Sequence, residues 1–305
     1  MPILKTLSEF EHYLRDADRS ANTISGYLED MADFARWFEA TNAEAFAAAA
    51  VTPSDVRAYK QHLLVRKLKP ATINRRLASL SAYARWAIEA GQIESDPAAK
   101  IQSVEQVPAG PKWLDRKQRF ALQRAIEQQL QLAGAQPGGR RALWRTRDAL
   151  LLTVLSNTGL RVAELAGLDG VDVELKLRSG KVTVRGKGTK IRTVPLNAEA
   201  RAALERWLVL RPQVETPAVF ISQFLVRMTT RSVERVVAEY GQRAKLETLT
   251  PHMLRHTFAK TLVDRGIPID QVGTLLGHAN LNTTRIYTTP GERDLERAVD
   301  ALLEN

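Results

Sequence analysis

The chain has 305 residues, with 44 Lys and Arg against 34 Asp and Glu, a formal charge of +10 and a pI near 9.9. Its 44% hydrophobic residues can fill two cores, and with no cysteine it can build neither a disulfide framework nor a thiolate zinc site. The N-terminal MPILKTLSEFEHYL has acids inside an amphipathic pattern, unlike a leader, and no run is long enough to span a bilayer; a soluble cytoplasmic protein is expected.

The charge is uneven. Residues 1–110 hold 13 basic and 14 acidic side chains, and the remainder holds 31 and 20. A polyanionic partner that meets mainly the second half is expected.

The first domain, residues 1–106, reads as a helical bundle. Leu7 to Asp16, Ala21 to Ala40, Pro53 to Arg66 and Ala71 to Ala90 each keep a period near 3.6, with Ile24, Tyr27, Met31, Phe34, Ala35 and Phe38 on one face of the second. Thr52 before Pro53-Ser54-Asp55 is a start signal, and Gly91 closes the fourth helix. The alanine run Ala47 to Ala50 reads as plain helix. Arg57, Lys60, Arg66, Lys67, Lys69, Arg75, Arg76 and Arg85 gather in two helices and their connector. They form either one wall for phosphates or a well-solvated helix pair.

Periodicity stops between Ile101 and Trp113, and residues 107–113, with Pro108, Gly110 and Pro111, read as an interdomain linker. The second domain, residues 114–305, opens with helices over Asp115 to Gln131 and Arg141 to Thr158. In the string TGLRVAEL, Gly159 ends one helix and Arg161 opens the next, which sets a guanidinium at a positive helix terminus with Glu164 one turn on to hold it. GKVTVR from Gly180 to Arg185 and KIRTVPL from Lys190 to Leu196 form the strong β signal, joined by a turn at Gly186-Lys187-Gly188. A lysine at such a tip has reach, although most turn lysines are simply solvated.

The stretch from Leu249 to Tyr287 contains three of the five histidines. Thr250-Pro251 is a helix start, after which His252 and Arg255 share a face and can reach one anion. Gly266-Ile267-Pro268 ends that helix, and Ile269 to Leu276 forms another, ending at Gly277, which suits a left-handed cap and presents His278. Thr283 and Thr284 begin a short turn or helix carrying Tyr287. Any one of these residues is commonly packing or solvated surface; the combination is what points to a site.

TGLRVAEL, the GKGTK hairpin, TPHMLRHTFA and LLGHANLNTTRIYT, behind a helical first domain, together resemble the tyrosine recombinases, or phage integrase family. The resemblance spans nearly the whole chain. It implies a mainly α fold: a SAM-like core-binding bundle and a mixed, mostly helical catalytic domain with a small β-hairpin, closing on a duplex. Residue by residue it implies Arg161 and Arg255 as the two arginines, Lys187 as the hairpin lysine, His252 and His278 as the two histidines, Tyr287 as nucleophile and Glu164 as support for the first arginine. His256 is read as structural. DNA contacts are expected from Arg57, Lys60, Lys69, Arg75, Arg76, Arg85 and Lys190.

The chemistry explains these types. A tyrosine that forms a 3′-phosphotyrosine keeps the phosphodiester energy, so rejoining needs no ATP and no cofactor. Arg161, Arg255 and His278 would stabilise charge on the nonbridging oxygens, Lys187 would protonate the leaving 5′-oxygen, and His252 would help to move the tyrosine proton. No histidine lies at ligand spacing from a carboxylate, so metal independence is expected.

A segment at about 292–303 has Leu295, Ala298, Val299 and Leu302 on one stripe and either folds back on its own domain or, as the resemblance implies, is exchanged between four protomers on paired core sites of double-stranded DNA, where some relatives act with a second recombinase. The tail beyond Tyr287 departs from the Xer chromosome-dimer pattern, which favours a mobile-element role, and with the core-binding domain read from the first residues a simple core-site recombinase without an arm-binding domain is expected. A type IB topoisomerase and a noncatalytic DNA-binding relative are the alternatives.

Overall fold

The computed structural model describes residues 2–106, 110–135, 139–186, 191–277 and 282–287. The chain divides into two compact units, Met1–Ala109 and Gly110–Asn305.

The first unit contains α1 (Pro2–Asp16), α2 (Ala21–Asn42), α3 (Pro53–Val65) and α4 (Pro70–Glu89). Their starts follow from local chemistry. Ser20 accepts the Thr23 amide ahead of α2, and Thr52 and Asp55 form a reciprocal capping box ahead of α3, whose first residue is a proline. The alanine run forms a short 3-10 turn at Ala48–Ala50 instead of the expected helix. It is a three-residue turn within the connector between α2 and α3, too short to repay helix nucleation. The core is aromatic: Phe10, Phe34, Phe38 and Tyr59 are fully buried, with the Phe34 and Tyr59 rings edge to face at 5.0 Å. Asn74 ties down the irregular segment after α4 by donating to Val104 O (2.8 Å) and accepting from its amide (2.7 Å).

The second unit contains α5 (Arg116–Gly134), α6 (Arg140–Thr158), α7 (Val162–Ala166), β1 (Val173–Leu175), β2 (Gly180–Arg185), β3 (Ile191–Pro195), α8 (Ala198–Leu210), α9 (Thr230–Arg243), α10 (Pro251–Asp264), α11 (Ile269–Leu276) and α12 (Asn282–Arg285). The strands form an antiparallel meander in the order β1-β2-β3, with Val182 opposite Val194. α6 is the central helix: Leu151, Leu152 and Val154 are fully buried, and α5, α8 and α10 all pack on it. Trp207 on α8 stacks on Phe220 and donates its indole N–H to Val219 O at 2.7 Å, so the largest core side chain also satisfies its polar atom. No helix among the described residues is long and apolar enough to cross a membrane. Both units are mainly α, with the small sheet in the second.

Candidate active site

Four elements of the second unit meet at the C-terminal end of α11. Gly277 ends that helix in the left-handed region (φ +65°), and its last carbonyls have no partner within the helix. Three arginines take three successive carbonyls. Arg192 on β3 donates to Leu275 O (3.2 Å), Arg255 on α10 to Leu276 O (2.6 Å), and Arg161 at the start of α7 to Gly277 O (3.3 Å). Cations are favoured at this negative end of the helix, which is what allows three guanidiniums to collect there.

Glu164 neutralises part of that charge. Its carboxylate accepts from the Arg161 amide (2.7 Å) and side chain (2.9 Å), and from both terminal nitrogens of Arg192, one of them at 2.8 Å. Burial alone would raise this carboxyl, but the hydrogen bonds from Arg192 and Arg161 outweigh it and hold it below its usual value. Arg255 is nearly enclosed and also donates to Gly159 O at 2.6 Å, joining the end of α6 to the end of α11. Burial, then the neighbouring Arg161, lowers its guanidinium to about 10, so it stays charged at neutral pH.

Two glycines permit this convergence. Gly159 has φ +62°, and a Cβ there would meet the Phe258 ring at 2.5 Å; a Cβ on Gly277 would lie 2.8 Å from Arg192 Cδ. Larger residues would push α10 or Arg192 off the helix end.

Tyr287 sits just beyond α12, with its amide on Thr284 O (3.1 Å) and its ring fully buried among Ala259, Val272 and Leu276. Its hydroxyl lies 2.7 Å from Nδ1 of His256. Burial raises the Tyr287 phenol, partly offset by the positive Arg255, while burial, then His252 and Arg255, lowers the His256 imidazole and favours its neutral form.

Of the predicted site residues, Arg161, Glu164, Arg255 and Tyr287 therefore come together around α10 and α11. His252 is exposed in the first turn of α10, its ring 6.4 Å from that of His256. Lys187, Lys190, His278 and the helix expected at 292–303 lie outside the described residues, as do 107–109 of the expected linker. Two contacts were not foreseen from the sequence: those of Arg192, on a strand that reads only as β, with Glu164 and the end of α11, and that of His256, read as structural, with the Tyr287 hydroxyl.

In the first unit, Arg57, Lys69, Arg75 and Arg85 are exposed. Lys60 donates to Gln102 O at 2.7 Å. Arg76 is different: its guanidinium is mostly buried, bound to Asp33 and to Tyr59 Oη (3.1 Å). It is a structural brace first, whatever else it touches. Among the described residues no three His, Asp or Glu side chains are grouped to hold a metal ion.

A guanidinium cluster with one partly open member can hold a phosphodiester, and a phenol against a neutral imidazole can attack one. The class this defines is the enzymes that break and rejoin DNA strands through a tyrosine. Residues 128–293 match the phage integrase family, and residues 7–91 match the phage integrase N-terminal SAM-like domain. The tyrosine recombinase XerC of Chromohalobacter salexigens is 33% identical over 285 residues, covering 92% of this chain and 90% of that protein. XerC of Pseudomonas aeruginosa is 33% identical over 280 residues, covering 91% and 87%. Among solved structures, the XerA recombinase aligns at 27% identity and TM-score 0.53, covering 97% of this chain and 98% of that one. The XerH recombinase bound to its difH substrate in a post-cleavage complex aligns at TM-score 0.74 and 24% identity, covering 98% and 85%, a likeness of fold. The chain belongs to the phage integrase family: it is a Xer-like tyrosine recombinase, a site-specific DNA recombinase.

Proposed function

We propose that Tyr287 attacks the scissile phosphodiester, forming a 3′-phosphotyrosine and releasing a 5′-hydroxyl, and that Arg161, Arg255 and His278 stabilise the charge that grows on the nonbridging oxygens. The observation that carries this is the convergence of Arg161 and Arg255 on one helix end with the Tyr287 hydroxyl held on α10. Forked donors locked by Glu164 and by helix carbonyls need little reorganisation when the phosphate charge develops. Lys187, at the β2–β3 turn, donates the proton to the leaving oxygen. Exposed His252, three residues before Arg255 on α10, donates a hydrogen bond toward the phosphate.

Arg57, Lys69 and Arg85 contact phosphates from the first unit, as does Lys190 from the second; Arg57 and Arg85 give up only local bonds to Ser54 and Ser81, Arg75 and Lys60 exchange partners distant in the chain, and Arg76 supports the wall. Lys69 stands at the N-terminal, positive end of the α4 dipole, where an anion is favoured.

A cleft of about 1160 Å³ beside α5, α6, α8 and α10, lined in part by Phe120, Leu130, Leu150, Leu254 and Leu262, supports assembly between protomers. Its apolar lining suits the Leu295, Ala298, Val299, Leu302 stripe of a neighbouring protomer, which supports a homotetramer on paired sites. The tail after Tyr287 favours a mobile-element substrate, with the reaction run on cytoplasmic DNA.

The test is covalent trapping on nicked suicide sites from the flanking genomic DNA, in the presence of EDTA. A protein-DNA adduct with the wild type and none with Tyr287→Phe is expected. An adduct with both proteins moves the nucleophile elsewhere, and its abolition by EDTA overturns the metal-free chemistry.

A further inference from the structure

Nucleophilic attack by a phenol requires somewhere for its proton to go. Among the described residues the group in hydrogen-bond contact with the Tyr287 hydroxyl is His256 Nδ1, at 2.7 Å, with the ring centroids 5.6 Å apart. The exposed ring of His252 makes no such contact with Tyr287, and its nearer aromatic neighbour is His256. Because Tyr287 is anchored by its buried ring and by the Thr284 carbonyl, the hydroxyl and the imidazole are held in register on α10.

We propose that His256 is the general base of the cleavage step, accepting the Tyr287 proton on Nδ1 as the hydroxyl oxygen bonds to phosphorus. This rests on Tyr287 being the nucleophile. As the new O–P bond forms, the P–O5′ bond breaks, its electron pair leaves with the 5′-oxygen, and a separate acid protonates that oxygen. In rejoining, the 5′-hydroxyl attacks phosphorus and gives its proton back to that separate group, the P–O bond to Tyr287 breaks, and the imidazolium returns its proton to the departing phenolate. To accept, the neutral ring carries its hydrogen on Nε2.

The surroundings suit the task. The ionisable groups facing His256 are His252 and Arg255 on its own helix and Tyr287 from the segment after α12, and the ring is half-buried. Burial, then His252 and Arg255, lower the imidazole and favour its neutral form in the free protein, which leaves it ready to accept a proton. A phosphate bound at Arg255 supplies negative charge nearby, which raises the ring's basicity at the moment the proton must move. The base is thereby strengthened by its own substrate.

Four variants and two substrates test this. His256→Asn keeps an acceptor oxygen near the Nδ1 position but cannot hold the proton; His256→Ala leaves space for added imidazole. The second substrate carries sulfur at the bridging 5′ position, whose thiolate leaves without a proton. Single-turnover adduct formation is followed from about pH 5.5 to 9.5, beside a gel shift for DNA binding. Wild-type rate should level off above the His256 titration. His256→Asn should bind DNA normally, react about 10²- to 10⁴-fold more slowly at neutral pH, and climb roughly tenfold per pH unit toward the phenol's own titration. Bridging sulfur should restore Lys187→Ala but not His256→Asn, and imidazole should restore His256→Ala in proportion to its neutral form. A loss under tenfold, an unchanged pH profile, rescue of His256→Asn by sulfur, or failure to bind DNA would each overturn the assignment. An adduct with Tyr287→Phe would instead remove the nucleophile on which it rests.

Discussion

Replacing Glu164 with Gln tests whether one carboxylate holds the arginine cluster. The side chain is 5% exposed and takes four hydrogen bonds on two oxygens, all from charged groups or from a helix-start amide. Gln keeps the shape and one acceptor, but turns an NH₂ toward donors and leaves Arg161, Arg192 and Arg255 without a counter-charge. Breaking a buried ion pair from one side costs about 3–5 kcal/mol. Arg161 is 39% exposed and solvent screens its share, so the 14% exposed Arg192 dominates and a loss of about 2–4 kcal/mol is expected. For a unit of this size that lowers Tm by about 5–15 °C. Calorimetry at neutral pH should show this drop, with the exposed Glu205→Gln as control, and added sulfate should recover part of it by sitting among the guanidiniums. A drop within about 2 °C of the control would mean that the helix-end carbonyls alone organise the arginines.

Other outcomes follow from the same geometry. The Glu164 carboxyl is held below its usual 4.5, so its contribution is complete above that pH and is lost as pH falls through the lower folded-state value; wild-type Tm should fall there more steeply than that of Glu164→Gln. Gly159→Ala combines a left-handed backbone with a 2.5 Å approach to Phe258 and should destabilise by about 2–4 kcal/mol, measured by urea unfolding. Thr257→Val removes the acceptor of the buried Leu114 amide, held at 2.9 Å, and should cost about 1–3 kcal/mol in the same assay. In the first unit the arginines should separate: Arg85→Ala should weaken DNA binding and reduce its salt dependence by about one ion with Tm unchanged, whereas Arg76→Gln should lower Tm through the loss of Asp33 and Tyr59.

Much of this protein is local and could be read in the chain. Helix starts at Thr52 and Thr250, the ends at Gly159 and Gly277, and the β2–β3 pairing each depend on residues within a few positions, so capping chemistry and periodicity determine them. The motif strings were legible for the same reason: each is a short run whose functional types keep fixed spacing. What tertiary structure decided is which groups meet. Arg76 looks like any basic residue beside Arg75, yet a contact with Asp33 43 positions away turns it inward. Arg192 lies on a strand whose pattern reports only β, and the fold brings it to a carboxylate 28 residues earlier and a helix end 83 residues later. His256 reads as helix packing until the chain returns and sets Tyr287 against it, 31 residues on. Local sequence determines backbone conformation, but the surroundings of an ionisable group come from several distant segments, and only folding brings those together.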